Sequence, residues 1–173
     1  MKKKLLIGAG ILAGLMAVVL GIGALLPKEH TATRQARYKQ SPEAIWQAIT
    51  EAEKMPQWRT DVKAVRRLPE KNGMPGWVET LDFGDLPLEA TEMTPPRRLV
   101  MRIATEELPF GGTWTYELAA ADGVTTLRIT ENGEIRSPVF RFMAHFVFGY
   151  SATIEDYLRA LGKKFGEEVT PAG

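Results

Sequence analysis

"SPVFRFMAHFVFGYSATIEDYLRALGKKF", Ser137–Phe165, is the stretch on which the fold turns. Ser137 followed by Pro138 is a helix start, because a serine hydroxyl can accept from an orphan backbone N–H and proline's missing donor costs nothing at the first helical position. From there Phe140, Met143, Val147, Tyr150, Ile154, Tyr157, Leu161 and Phe165 recur at three- and four-residue steps, the period of one helix face. The spacing predicts a single helix of about seven turns. So long an apolar stripe needs a partner surface.

The preceding chain supplies one. Turn residues punctuate it at Asn72-Gly73 with Pro75-Gly76, Gly84-Asp85, Pro95-Pro96, Gly111-Gly112 and Asp122-Gly123, which is hairpin spacing. Between them Trp77, Leu81 and Phe83 alternate onto one face, as do Leu99, Met101 and Ile103, then Trp114, Tyr116 and Leu118, then Leu127, Ile129 and Ile135. The pattern predicts an antiparallel meander with one apolar face for the terminal helix to cover. Upstream, Thr31–Lys39 reads as a first strand. "SPEAIWQAITEAEKMPQW", Ser41–Trp58, then opens a helix with Ser41 as N-cap, Pro42 at N1 and Ile45, Trp46 and Ile49 on one face; Pro56 is the expected stop.

Together, "SPEAIWQAITEAEKMPQW", the meander, and "ITENGEIRSPVFRFMAHFVFGYSATIEDYLRALGKKFGE" resemble the START-like superfamily, also called SRPBCC or polyketide cyclase/dehydrase-like, over roughly Thr31–Glu168. The resemblance implies an α+β helix-grip fold: a curved antiparallel sheet wrapped around a long C-terminal helix. Between them many relatives hold a lipid, sterol, polyketide or other apolar ligand. It does not select one chemistry, since carriers, cyclases and co-chaperones share the fold.

At the N-terminus, "LLIGAGILAGLMAVVLGIGALL", Leu5–Leu26, has no polar side chain and is roughly 33 Å long as a helix, enough to cross a hydrocarbon core of about 30 Å. A cleaved signal peptide is the competing reading. The run is too long for one, and Leu25-Leu26-Pro27-Lys28 is a poor cleavage site. The expected organisation is therefore residues 1–27 as transmembrane anchor, 28–168 as the START-like domain and 169–173 as a flexible tail. Lys2, Lys3 and Lys4 favour a cytoplasmic N-terminus, with the domain on the extracytoplasmic, periplasmic side. Gly10-x-x-x-Gly14 and Ala17-x-x-x-Gly21 have the spacing for weak self-association of the anchor.

Chemistry is sparse. The 173 residues include no cysteine, which removes thiolate nucleophiles, and two histidines. Without Lys2–Lys4 the 22 basic residues fall below the 21 acidic ones, so there is no electrostatic case for nucleic acid. His30 abuts the anchor and reads as a solvated linker residue; His145 has no second ligand nearby, so no metal is expected. No cofactor motif is present: Gly111-Gly112 lacks a following lysine, and neither Ser137 nor Ser151 has a histidine in a plausible elbow.

Two carboxylates are candidates for acid–base work. Alternation puts Glu79 on the face of Trp77 and Leu81, and Glu131 on the face of Ile129 and Ile135. Burial there would raise either pKa, with the Tyr116 or Tyr150 hydroxyl as assistant. The plainer reading sends both to water or to an arginine such as Arg102 or Arg128, with Gly133 as a bulge that resets the alternation. Trp77, Phe83, Met101, Trp114, Tyr116, Met143 and Tyr150 are the expected lining of an apolar interior, as ligand contacts or as ordinary core. "VFRFMAHFVFGY" is apolar nearly all round, with Phe142, Phe146 and Phe148 off the main stripe; this end of the helix, with Leu108-Pro109-Phe110-Gly111, is expected to face the membrane or a ligand portal. The expected function is binding of an apolar small molecule or lipid between sheet and helix. The alternatives are a cyclase/dehydratase-like enzyme using Glu79 or Glu131, and a protein-interaction module with a filled core.

Overall fold

A computed structural model describes residues 2–173, with side chains from residue 6 onward. The orienting charge of Lys2–Lys4 and the first anchor residue, Leu5, therefore lie outside the described side chains. Helix α1 spans Lys2–Leu25. Its segment Leu6–Leu25 has a mean hydropathy of 2.4 and the length to cross a membrane, and almost none of it is buried in the rest of the protein. Strand β1, Glu29–Tyr38, follows and starts two residues ahead of its expected place.

Helix α2, Pro42–Thr50, begins as its residues dictate. Ser41 is in the extended region and its side chain accepts from the Ala44 N–H, while Ile45, Ala48 and Ile49 turn inward. It ends before Pro56, which sits inside a following 3-10 turn, Ala52–Gln57. Six strands come next: β2 Ala64–Lys71, β3 Met74–Leu81, β4 Gly84–Thr94, β5 Arg98–Ile103, β6 Phe110–Ala121 and β7 Val124–Ile135. With β1 they form one antiparallel sheet in the order β1-β7-β6-β5-β4-β3-β2. Gly111-Gly112 is not a turn; both glycines lie inside β6, paired with Glu134 and Gly133.

The strand directions set the two ends of the sheet apart. The turn after β3, the loop after β5, the end of β7 and the start of β1 all lie at the end from which α1 leaves. This anchor-side end is where the sequence departs most from regular structure.

The terminal helix is not continuous. It comprises α3, Pro138–Met143, a π-helical turn over Ala144–Phe148, and α4, Ala152–Lys164. The break is Gly149, at φ 76° and ψ 161°, backbone that only glycine adopts without strain. The stripe divides accordingly. Ile154, Tyr157, Leu158 and Leu161 of α4 are buried against the sheet with Leu99, Met101, Tyr116, Leu127 and Ile129, whereas Phe140, Phe146, Val147 and Phe148 remain exposed. Small side chains at Ala32 and Ala36 on the inner face of β1 let α4 come close, and Arg34 between them donates to Glu155 at 2.9 Å. The grip is thus made by the second half of the stripe.

The last residues are not a loose tail. Gln35 and Ala172 exchange backbone hydrogen bonds at 2.8 and 2.9 Å, and Val169 packs on the core. The edge strand β1 had free backbone groups for this segment to satisfy.

Candidate functional site

The space between sheet and α4 is occupied by aromatic side chains. Tyr157, from α4, is the hub: its ring lies 5.5 Å from Trp58, 5.8 Å from Trp114 and 5.7 Å from Tyr116. The Arg59 guanidinium stands 5.2 Å from the same ring. Burial pushes the Tyr116 and Tyr157 hydroxyls well above the ordinary tyrosine range.

Glu79 does face inward, and its partner is neither Arg102 nor Arg128. Arg59 Nη1 reaches both carboxylate oxygens, at 3.1 and 2.9 Å, and Trp77 Nε1 donates at 3.2 Å. Arg102 pairs instead with Glu89, and Arg128 with Gln35. Burial works against the charge on Arg59, yet Glu79 and Asp61 hold its pKa above the usual arginine value. Both oxygens of this carboxylate are thus already engaged by neighbouring donors.

Glu131 has a different environment. Strand β7 pairs with β6 without a register shift through Gly133, so no bulge resets the alternation and Glu131 also faces inward, opposite Trp114. Its nearest partner is His30, with Nε2 3.4 Å from Oε1. His30 is no linker residue: it sits on β1 opposite Gly133, its ring stacks on Tyr150 at 4.4 Å, and its Nδ1 is buried without a partner. A side chain at 133 would collide with the imidazole, so the glycine makes the room. Burial raises the Glu131 pKa, with His30 and the Trp114 indole opposing. Of the two candidate carboxylates, Glu131 is the one without an arginine partner. His145 is on the exposed π turn, with Nδ1 3.5 Å from the Tyr150 hydroxyl.

The remaining expected lining residues divide. Trp77, Met101 and Tyr116 are buried in the core; Trp114, Met143 and Tyr150 are half-buried at the anchor-side end. Phe83 is not in the interior. Strand β3 ends at Leu81, so the alternation stops there, and Phe83 is an exposed turn residue edge-on to Phe110 at 5.7 Å. Phe142 is half-buried and packs on Phe146 at 4.9 Å. The loop before β6 is fastened by Arg136, whose Nη1 donates to the Glu106 and Leu108 carbonyls at 3.1 and 3.0 Å. Two open hollows, of about 300 and about 370 Å³, lie on the outer face of the sheet, around Leu68, Glu89 and Arg102 and around Val78, Pro87 and Leu108. Sequence reading missed Arg59, in the loop before β2, and His30, on β1, whose partners Glu79 and Glu131 are distant in the chain.

At the anchor-side end the protein is tied to α1. Arg141, buried on α3, donates from Nη1 to the Leu26 carbonyl at 2.8 Å and to the Ala24 carbonyl at 3.5 Å. A cation on the last carbonyls of a helix also meets the negative end of its dipole. Gly23 lies against the Pro138 backbone so closely that any β-carbon there would clash.

Comparison with known proteins agrees with this architecture. A START superfamily protein from Mycobacterium smegmatis superposes with a TM-score of 0.64 at 16% identity, covering 78% of this chain and 96% of that one. The Zhui aromatase/cyclase from Streptomyces sp. R1128 gives 0.66 at 12% identity over 78% and 93%. Norcoclaurine synthase from Thalictrum flavum gives 0.62 at 8% identity over 81% and 88%. At these identities the likeness is one of fold. No curated protein matches the sequence significantly. Residues 29–166 match the family model described as polyketide cyclase / dehydrase and lipid transport, and the chain belongs to that family.

Proposed function

We propose that the protein is a single-pass, membrane-held START-like domain that binds an apolar small molecule or lipid between its sheet and α4, admitting it at the anchor-side end. The observation that carries this reading is the contrast along one wall: Trp114, Met143 and Tyr150 are only half-buried, and they adjoin a segment whose Phe140, Phe146, Val147 and Phe148 are exposed. Exposed apolar clusters of this kind mark partner, ligand or membrane contacts. The interior is closed by side chains, so entry requires Pro138–Phe148 to swing on Gly149. Retention of α1 is favoured over cleavage because Arg141 and Pro138 use its last turn as their packing partner.

Native mass spectrometry of the full chain, released gently from detergent micelles, tests the reading. A defined adduct of lipid-like mass at one per chain supports it, and bare protein in every charge state defeats it. The second outcome favours the other reading that the filled aromatic interior supports, a protein-interaction module with no ligand. Catalysis, if present, falls to Glu131 with His30; Glu131→Gln would then abolish turnover while leaving the adduct in place.

A further inference from the structure

We propose that Pro138–Phe148 is a second membrane element, docked on the last turn of α1 and lying flat in the interface of the leaflet through which α1 leaves the bilayer. This rests on the reading that α1 spans. Eleven residues rise only roughly 16 Å as a helix, too short to cross, so the segment can enter lipid only along its surface.

Three observations fix its depth and its outward face. Gly23 brings α1 against the start of α3 with no side chain between them, so α3 begins at the level of the anchor's final turn. Arg141, the one permanently charged side chain in the segment, is turned inward onto the Ala24 and Leu26 carbonyls. His145, the other ionisable group, is beside the Tyr150 hydroxyl. What faces outward is Phe140, Phe146, Val147 and Phe148, exposed by 50%, 57%, 58% and 63%, with His145 exposed beside them. These side chains lie at the height where α1 meets the headgroups, and the bilayer is the surface that covers them. The acidic loop residues Glu106 and Glu107, on the same end of the sheet, set the limit of immersion, since carboxylates stay in water.

Because the chain has no cysteine, a single introduced thiol gives a unique spin label. The full chain is reconstituted in vesicles of phosphatidylcholine and phosphatidylglycerol with Leu12→Cys, Val147→Cys, Phe148→Cys or Ala121→Cys. Collision with oxygen, which concentrates in lipid, is compared with collision with a nickel chelate, which stays in water. The expected result is a lipid signature at 12, a shallower lipid signature at 147 and 148, and a water signature at 121. Gly23→Leu should shift the 148 label toward water by pushing α3 off α1. A water signature at 147 and 148 with lipid at 12 overturns the inference and leaves the anchor intact. Shielding of 147 and 148 from both reagents overturns it in favour of a protein partner. A water signature at 12 removes the spanning reading and this inference with it, and an unmoved 148 label in Gly23→Leu refutes docking on α1.

Discussion

Helix α4 and the segment Pro138–Phe148 come from one apolar stripe, yet they are used in opposite ways. In α4 the stripe is sealed against the sheet: Ile154, Leu158 and Leu161 are fully buried, and Tyr157 sits in a ring of aromatic neighbours over the Arg59–Glu79 pair. In the first half Phe140 and Val147 of the stripe stand in the open beside the off-stripe Phe146 and Phe148, and an arginine is buried instead. Periodicity states that a face is apolar; it does not state what covers it. The half that touches the sheet carries stability, and the half that touches α1 carries the features expected of a binding surface.

The largest difference between the regions should appear on breaking the buried pair. Arg59→Ala leaves Glu79 almost fully enclosed without its arginine partner, and is expected to cost about 3–5 kcal/mol in urea unfolding of the full chain in micelles, followed by tryptophan fluorescence. Arg59→Met with Glu79→Leu should recover most of that loss, since an apolar pair has no stranded charge. Leu158→Ala, a cavity under α4, should cost about 2–5 kcal/mol, while Phe148→Ala should stay within about 0.5 kcal/mol. Equal losses at 158 and 148 would erase the distinction between the halves.

Smaller effects sharpen it. Burial, with His30 and Trp114 opposing, raises the Glu131 pKa above its ordinary 4.5 in the folded protein. The folded state therefore holds that proton more tightly than the unfolded chain. Its contribution is fully present below pH 4.5 and is lost as pH rises through the higher folded value. Glu131→Gln should gain on wild type progressively above pH 4.5 in thermal melts across pH. Glu51, Glu53, Glu89 and Glu155, whose pKa values are lowered by hydrogen bonds to Lys54, Arg67, Arg102 and Arg34 respectively, act oppositely but equally in both proteins, so they cancel from the difference. Parallel curves would contradict the assignment. The smallest stability change is expected from Phe146→Ser with Phe148→Ser: folding is unaffected, and the lipid-mass adduct falls.

Much of this architecture is legible in the chain because its signals are local. Ser41-Pro42 and Ser137-Pro138 start helices through their own chemistry, and both hydroxyls cap the helix three residues on. The meander is legible because alternation is a property of each strand alone. Phe83 shows the limit: counting in twos past Leu81 carries the rule beyond the end of β3 into a turn. Gly149 shows a second limit: a glycine inside a helix costs only about 1 kcal/mol, so the apolar spacing runs through it unbroken while the backbone there takes a positive φ. The candidate site was less legible. His30 meets Glu131 through the register of β1 on β7, and Arg59 meets Glu79 from the far side of a whole strand. Neither pairing leaves a spacing pattern.

The central claim is that the anchor-side end opens while the α4 half stays shut. Hydrogen–deuterium exchange on the full chain in lipid nanodiscs measures this directly. The account predicts rapid exchange in Pro138–Ser151, slowed when an apolar ligand is supplied, with slow exchange in α4, β6 and β7 throughout. Uniform slow exchange across both segments, unchanged by ligand, would contradict it.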